Sequence, residues 1–325
     1  MNGLDDVSSA APHPVHQKKA VGTVARRPKV REEPKREQEE QMSKSSIAVI
    51  GAGTMGSGIA QVAAEAGHDV TLIDTTREQA DRGLTAIQNF LDKGVAREKL
   101  TADQRDQTMA RLVTSDNVEL GVAGASMVVE AVFESLPLKH EVFATLDRVC
   151  PPEVILASNT STLPITDIAS ATAHPERVIG THYFSPVPLM RLVEVIRGEH
   201  TSDEIAEGTM SLCQGFGKHP ILIKDVPGFI VNRFLCLLYA EAANMIESGV
   251  ASAEDIDSAL KLGCNWPMGV TEIMDLAGVD VTLLALEAMH EMTEEERYKP
   301  SPLLRRMVDA NQLGRKSGEG FARYT

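Results

Sequence analysis

Gly51-Ala52-Gly53-Thr54-Met55-Gly56 follows the apolar run 47–50 and opens a helical stretch, residues 57–66, that Gly67 closes. In a strand-turn-helix unit the first glycine makes a tight turn, the second lets the backbone approach a pyrophosphate, and the third lets helix pack closely on strand. Amide donors and the dipole at the helix N-terminus then receive the phosphate charge. Asp74 ends the next apolar run, eighteen residues past Gly56, where a carboxylate can accept from a ribose 2′-hydroxyl. Gly51, Gly53, Thr54, Met55, Gly56 and Asp74 are therefore the candidate cofactor-binding residues, and Asp74 favours NAD over NADP. A guanidinium at Arg77 could pair with a 2′-phosphate, but the residue is read here as a solvated arginine at a helix start.

From Ser45 onward, runs of strand length alternate with helical periods, the pattern of a parallel sheet covered by helices. Strands are expected at residues 47–50, 70–74, 127–131, 154–158, 178–182 and 221–224, with helices at 77–91, 138–149 and 203–216. After Asp225-Val226-Pro227-Gly228 the strands stop, and 229–247, 253–262, 271–289 and 302–311 read as helices. The expectation is an α/β fold: a Rossmann-type doubly wound parallel sheet over residues 42–224, then an all-helical C-terminal domain over 225–325. The boundary falls where Pro and Gly interrupt either kind of element.

Residues 1–41 lack hydrophobic periodicity and are rich in Pro, Lys/Arg and Glu, so they are expected to be a disordered extension. The extension carries 8 basic against 7 acidic residues and the remainder 24 against 39, so the acidity behind the chain's net charge of −14 belongs to the folded body. Such acidity argues against nucleic acid, whose phosphates need a concentrated basic face, and against anionic membranes. The apolar stretch 229–246 is interrupted by Asn232, Arg233, Glu241 and Asn244, so it reads as a buried helix rather than a membrane span. The four cysteines have no C-x-x-C spacing, which indicates neither a metal site nor a redox pair and suits a cytoplasmic setting.

Further motifs follow in order: Ser158-Asn159-Thr160-Ser161-Thr162, Gly180-Thr181-His182-Tyr183-Phe184-Ser185-Pro186, Leu192-Val193-Glu194-Val195-Ile196, Lys224-Asp225-Val226-Pro227-Gly228-Phe229-Ile230-Val231-Asn232-Arg233, and Gly314 to Phe321. With the glycine fingerprint, this ordered set resembles the 3-hydroxyacyl-CoA dehydrogenase family, particularly its short 3-hydroxybutyryl-CoA members, over residues 46 to 325. The resemblance implies hydride transfer between C3 of an (S)-3-hydroxyacyl-CoA and NAD, with His182, Glu194, Ser161 and Asn232 as the catalytic group. It also implies that Glu134 and Lys139 lie along the cofactor groove, with Asn159 near the nicotinamide, and that the protein is a homodimer joined through the helical domain.

The residue types suit that chemistry. Oxidising an alcohol needs a base titrating near neutrality within reach of the hydroxyl, and histidine is one. A carboxylate on its second ring nitrogen would fix the tautomer and stabilise the imidazolium. Ser161 and Asn232 would donate to substrate oxygens. Lys93 and Arg97, at a helix end, are candidates to receive the phosphates of CoA. Family members commonly carry Asn where this chain has Ser185, which bears on acyl-chain preference. Two rival readings are an L-gulonate 3-dehydrogenase-like enzyme acting on a sugar acid without CoA, and a non-catalytic NAD(H)-binding protein of the same fold.

Overall fold

The computed structural model describes residues 45–324; the expected extension, 1–41, lies outside the described residues. The chain runs β1 Ser46–Ile50, α1 Thr54–Glu65, β2 Asp69–Ile73, α2 Arg77–Ala96, α3 Ala102–Met109, β3 Leu112–Ser115, α4 Val118–Gly121, β4 Ala125–Glu130, α5 Leu136–Val149, β5 Ile155–Ser158, α6 Ile165–Ala169, β6 Val178–Tyr183, β7 Leu192–Arg197, α7 Asp203–Gly215 and β8 His219–Lys224. Five more helices follow: α8 Val231–Glu247, α9 Ala253–Gly263, α10 Val270–Ala277, α11 Val279–Thr293 and α12 Pro302–Asp309.

The eight strands form one sheet in the order β3-β2-β1-β4-β5-β6-β7-β8. Chain order reverses between β1 and β4, which opens a crevice at the carboxyl ends of those strands. Each apolar face of the sheet is covered. Ile47, Val49, Val129 and Ala157 pack with α1 residues Ile59, Ala60 and Ala63 on one side. Ala48, Ile50, Val128 and Leu156 pack with Phe143 and Leu146 of α5 on the other. Central strands buried on both faces explain the near-continuous apolar runs in the sequence. A third cluster, including Tyr239, Met274, Leu286 and Tyr298, holds the helical half together. Among the described residues no helix is long and apolar enough to cross a membrane.

Three details depart from expectation. The sheet is mixed, because β7 runs antiparallel to β6 while β8 follows β7 in parallel. The connection 184–191 is too short for a helical crossover, so the chain must turn back as a hairpin. Strands β3 and β7 were not among the expected runs; Leu-Val-Thr-Ser of β3 is short and half-exposed, which dilutes its apolar signal. The expected helix 271–289 is broken at Gly278, whose φ of +110° no helix accommodates. A β-carbon there would also meet Asp280 Oδ1 at 2.7 Å and Lys316 Nζ at 2.9 Å.

Candidate active site

The β1–α1 turn is built around three glycines with different constraints. Gly51 has φ +98°, and a β-carbon on it would lie 2.5 Å from the Ala131 carbonyl oxygen. At Gly56 a β-carbon would fall 1.7 Å from the Gly51 oxygen, so helix and strand meet backbone to backbone. At Gly53 it would meet nothing within 4 Å. No side chain caps α1, whose first residues are Thr54 and Met55. An open space before uncapped amides at a helix N-terminus fits a dinucleotide pyrophosphate.

Asp74, just past β2, does more than wait for a ribose. Its Oδ2 accepts from the amide of Ala52 at 2.7 Å and its Oδ1 from the amide of Thr75 at 2.7 Å, tying the fingerprint turn to the next strand. Arg77 is paired with Asp81 one helical turn on, at 3.2 Å, on the exposed side of α2.

The loops after β4 and β5 are joined by a buried charge cluster. Lys139 of α5 is fully buried, and its Nζ lies 2.7 and 2.9 Å from the two oxygens of Glu130 and 3.4 Å from Glu134. Glu130, also fully buried, accepts from Ser158 Oγ and the Val132 amide, both at 2.7 Å. Lys139 was expected along the groove; the structure places its ammonium inside, where an unpaired charge could not remain.

Glu134 reaches across to residues 160–162. Its Oε1 accepts from the amides of Ser161 and Thr162 at 2.8 and 3.0 Å and from Thr160 Oγ1 at 2.6 Å. Burial pushes the Glu134 carboxyl up, but the Lys139 ammonium and these donors outweigh it and hold it below the usual carboxylate range. Asn159 is turned toward β6, its Oδ1 accepting from the Tyr183 amide at 3.0 Å.

His182 and Glu194 are paired residues of the β6–β7 hairpin, and His182 Nδ1 lies 2.7 Å from Glu194 Oε2. Glu194 is fully buried and His182 nearly so. The other carboxylate oxygen, Oε1, accepts from the amides of Ile230 and Val231 at 2.9 and 3.0 Å, where α8 begins. One buried carboxylate thus serves an imidazole and a helix N-terminus, and both stabilise its negative charge. The next residue, Asn232, donates from Nδ2 to the Ser161 carbonyl at 3.1 Å, and Ser161 Oγ lies 3.3 Å from Glu134 Oε1. His182, Glu194, Ser161, Asn232, Glu134 and Asn159 are thereby linked beside the carboxyl ends of β4, β5 and β6.

The hairpin loop is fastened as well. Val187 packs where α1 carries Gly58, at which a β-carbon would come 2.8 Å from the valine. Lys218 Nζ donates to the carbonyls of Val187 and Met190. Ser185 stays exposed in this loop.

With this geometry in view, comparison with known proteins is decisive. The family described as "3-hydroxyacyl-CoA dehydrogenase, NAD binding domain" matches residues 46–226, and its "C-terminal domain" matches 228–324. The chain belongs to the 3-hydroxyacyl-CoA dehydrogenase family. It is 45% identical over 283 residues to a probable 3-hydroxybutyryl-CoA dehydrogenase of Bacillus subtilis, covering 87% of this chain and 98% of that one. It is 44% identical over 285 residues to the mitochondrial hydroxyacyl-coenzyme A dehydrogenase of Rattus norvegicus, covering 86% and 90%. The crystal structure of the (S)-3-hydroxybutyryl-CoA dehydrogenase of Ralstonia eutropha superposes with a TM-score of 0.84 at 38% identity, covering 86% of this chain and 99% of that one. As a member of this dehydrogenase family the protein uses NAD.

Two expected residues stand apart from the cluster. Lys93 and Arg97 are exposed at the end of α2, with Lys93 about 24 Å along the helix from its first residue. No side-chain hydrogen bond or ion pair among the described residues joins them to His182. Conversely, the sequence reading missed Glu130 and the amides of Ile230 and Val231. An acid in the apolar run 127–131 was the available signal for Glu130; nothing in the residue types announces a backbone amide.

Proposed function

We propose that the protein catalyses the NAD-dependent interconversion of an (S)-3-hydroxyacyl-CoA and the 3-ketoacyl-CoA, with a short acyl chain such as 3-hydroxybutyryl/acetoacetyl. The observation that carries this reading is the buried His182–Glu194 pair at 2.7 Å, near the carboxyl end of β6 as the cofactor cradle is at the carboxyl end of β1. The amides at Gly53, Thr54 and Met55 and the Asp74 carboxylate would hold NAD, which would supply the hydride acceptor or donor. The chain's own residues manage the proton and the orientation.

With Nδ1–H bonded to Glu194, His182 leaves Nε2 unprotonated to take the proton of the substrate hydroxyl. Glu194 stabilises the imidazolium so formed, and the helix amides on Oε1 hold that carboxylate in place. In the reverse direction Nε2–H returns the proton to the carbonyl oxygen. Ser161 and Asn232 position that oxygen as donors, and Asn159, fixed on the Tyr183 amide, borders the nicotinamide end. No step calls for a nucleophile, so Ser161 forms no acyl-enzyme.

In this reading residues 42–224 bind the cofactor and 225–325 bind substrate and self-associate. The exposure of Phe234, Leu262, Leu276 and Leu284 on the helical half supports a homodimer. Exposed Lys93 and Arg97 are the proposed receivers of CoA phosphates. A reducing, cytoplasmic setting is consistent with four free cysteines. The test is NADH oxidation with acetoacetyl-CoA and longer 3-ketoacyl-CoAs, beside NAD reduction with L-gulonate. Turnover of L-gulonate alone would replace the CoA substrate with a sugar acid; NADH binding without any turnover would favour a non-catalytic role.

A further inference from the structure

His182 is constrained by more than its carboxylate partner. Two phenyl rings meet its imidazole: Phe184, with centroids 4.4 Å apart and planes at 47°, and Phe229, at 5.7 Å and 54°. Phe184 comes from the same hairpin. Phe229 comes from the segment that leads into α8, and it is buried.

The backbone at Phe229 is unusual. Gly228 has φ +72° and Phe229 has φ +51°, so two successive residues are left-handed. Glycine adopts that region freely, whereas a bulky side chain there is uncommon and persists only where its surroundings over-determine it. Two things are achieved at once. The turn brings the amides of Ile230 and Val231 together on Glu194 Oε1, and the phenyl ring is laid against the imidazole held by Glu194 Oε2. A second glycine would satisfy the turn but leave the imidazole with the Phe184 ring alone.

We propose that Phe229 is a positioning residue for His182, its ring fixing the plane of the imidazole while its left-handed backbone aims two amides at the imidazole's carboxylate partner. The inference rests on the reading of His182 as the base. The competing role is packing alone, because Phe229 also belongs to the apolar cluster with Ile165, Val178 and Ile196. A packing role lowers stability on truncation without selecting the imidazole.

The experiment compares the wild type with Phe229→Gly, which keeps the turn and removes the ring, and Phe229→Leu, which keeps apolar bulk. The readouts are the dissociation constant for NADH, kcat with acetoacetyl-CoA, and the His182 Nδ1–H resonance by NMR without substrate. Phe229→Gly should bind NADH as the wild type does, lose kcat by on the order of 10²-fold, as misplaced catalytic groups do, and show a broadened or exchanged Nδ1–H. Phe229→Leu, which packs without a ring, should fold and bind NADH but regain only part of kcat and of the resonance. A folded Phe229→Gly with wild-type kcat and an intact resonance would overturn the proposal, as would losses in both variants that merely follow their thermal midpoints. Should the glycine variant fail to fold, Phe229→Leu decides alone, and wild-type kcat with an intact resonance in it would overturn the proposal. If the wild type turns over no 3-ketoacyl-CoA, the functional reading fails by itself, and the NMR comparison still decides whether Phe229 orders the imidazole.

Discussion

His182 and Glu194 sit directly opposite each other across the antiparallel β6–β7 pair, so the 2.7 Å contact between their side chains follows from strand register rather than from a flexible loop. Side chains of facing residues project on the same side of a sheet, with β-carbons about 4.5–5.5 Å apart. His182→Gln should lower kcat by roughly 10²–10⁴-fold, the range for losing general acid–base catalysis, while the affinity for NADH stays unchanged. Glu194→Gln should also slow turnover, and the double variant should lose far less than the product of the single losses. Steady-state kinetics with acetoacetyl-CoA check this, and multiplicative losses would detach Glu194 from the imidazole.

The glycine fingerprint can be divided by experiment. Gly53→Ala adds a methyl to open space at an ordinary φ of −71°, so the variant should fold and melt like the wild type yet bind NADH poorly. Gly56→Ala drives a methyl into the Gly51 carbonyl and should reduce stability as well as binding. Thermal melts and NADH fluorescence titrations on the same samples read both effects. Equal thermal losses in the two variants would contradict the division.

Asp74→Ala removes the acceptor of the buried Ala52 amide as well as the proposed ribose ligand. It should therefore cost roughly 1–3 kcal/mol of stability, the penalty for an unsatisfied buried donor, in addition to weakening NADH binding. Asp74→Asn keeps an acceptor oxygen and should retain most of the stability while still weakening the cofactor. Urea denaturation beside the Michaelis constant for NADH separates these contributions.

The buried cluster predicts an acid-side effect. The folded-state pKa of Glu134 is depressed, so its contribution is complete above the ordinary glutamate value and is lost as pH falls through the depressed one. Wild type should exceed Glu134→Gln in stability at neutral pH, with the difference closing on acidification; a difference that grows with acidity would refute the sign. Lys139→Met strips the ammonium from buried Glu130 and should cost about 3–5 kcal/mol in denaturant unfolding.

Much of this arrangement could be read from the chain before any coordinates. The fingerprint, Asp74 and the run of buried parallel strands announce themselves because glycine spacing and apolar length are local properties. Helix 271–289 was misread because apolar periodicity continues across Gly278, and only the turn at that residue interrupts it. Strand β7 was hidden for the opposite reason: Glu194 interrupts the apolar run Leu192–Ile196, although it is buried and carries the contacts to His182 and α8. The partner of Lys139 was not legible either, since sequence shows a charge but not that Glu130, nine residues earlier, pairs with it.

The two oxygens of Glu194 answer to different parts of the chain, one to the hairpin and the other to the start of the helical half. Cofactor cradle and imidazole alone are therefore an unfinished machine. Until the helices dock, this carboxylate lacks the amides of Ile230 and Val231, and on the proposed reading of His182 as the base its partner is then held by the hairpin alone. A nascent or clipped chain would be chemically quiet rather than carelessly oxidising.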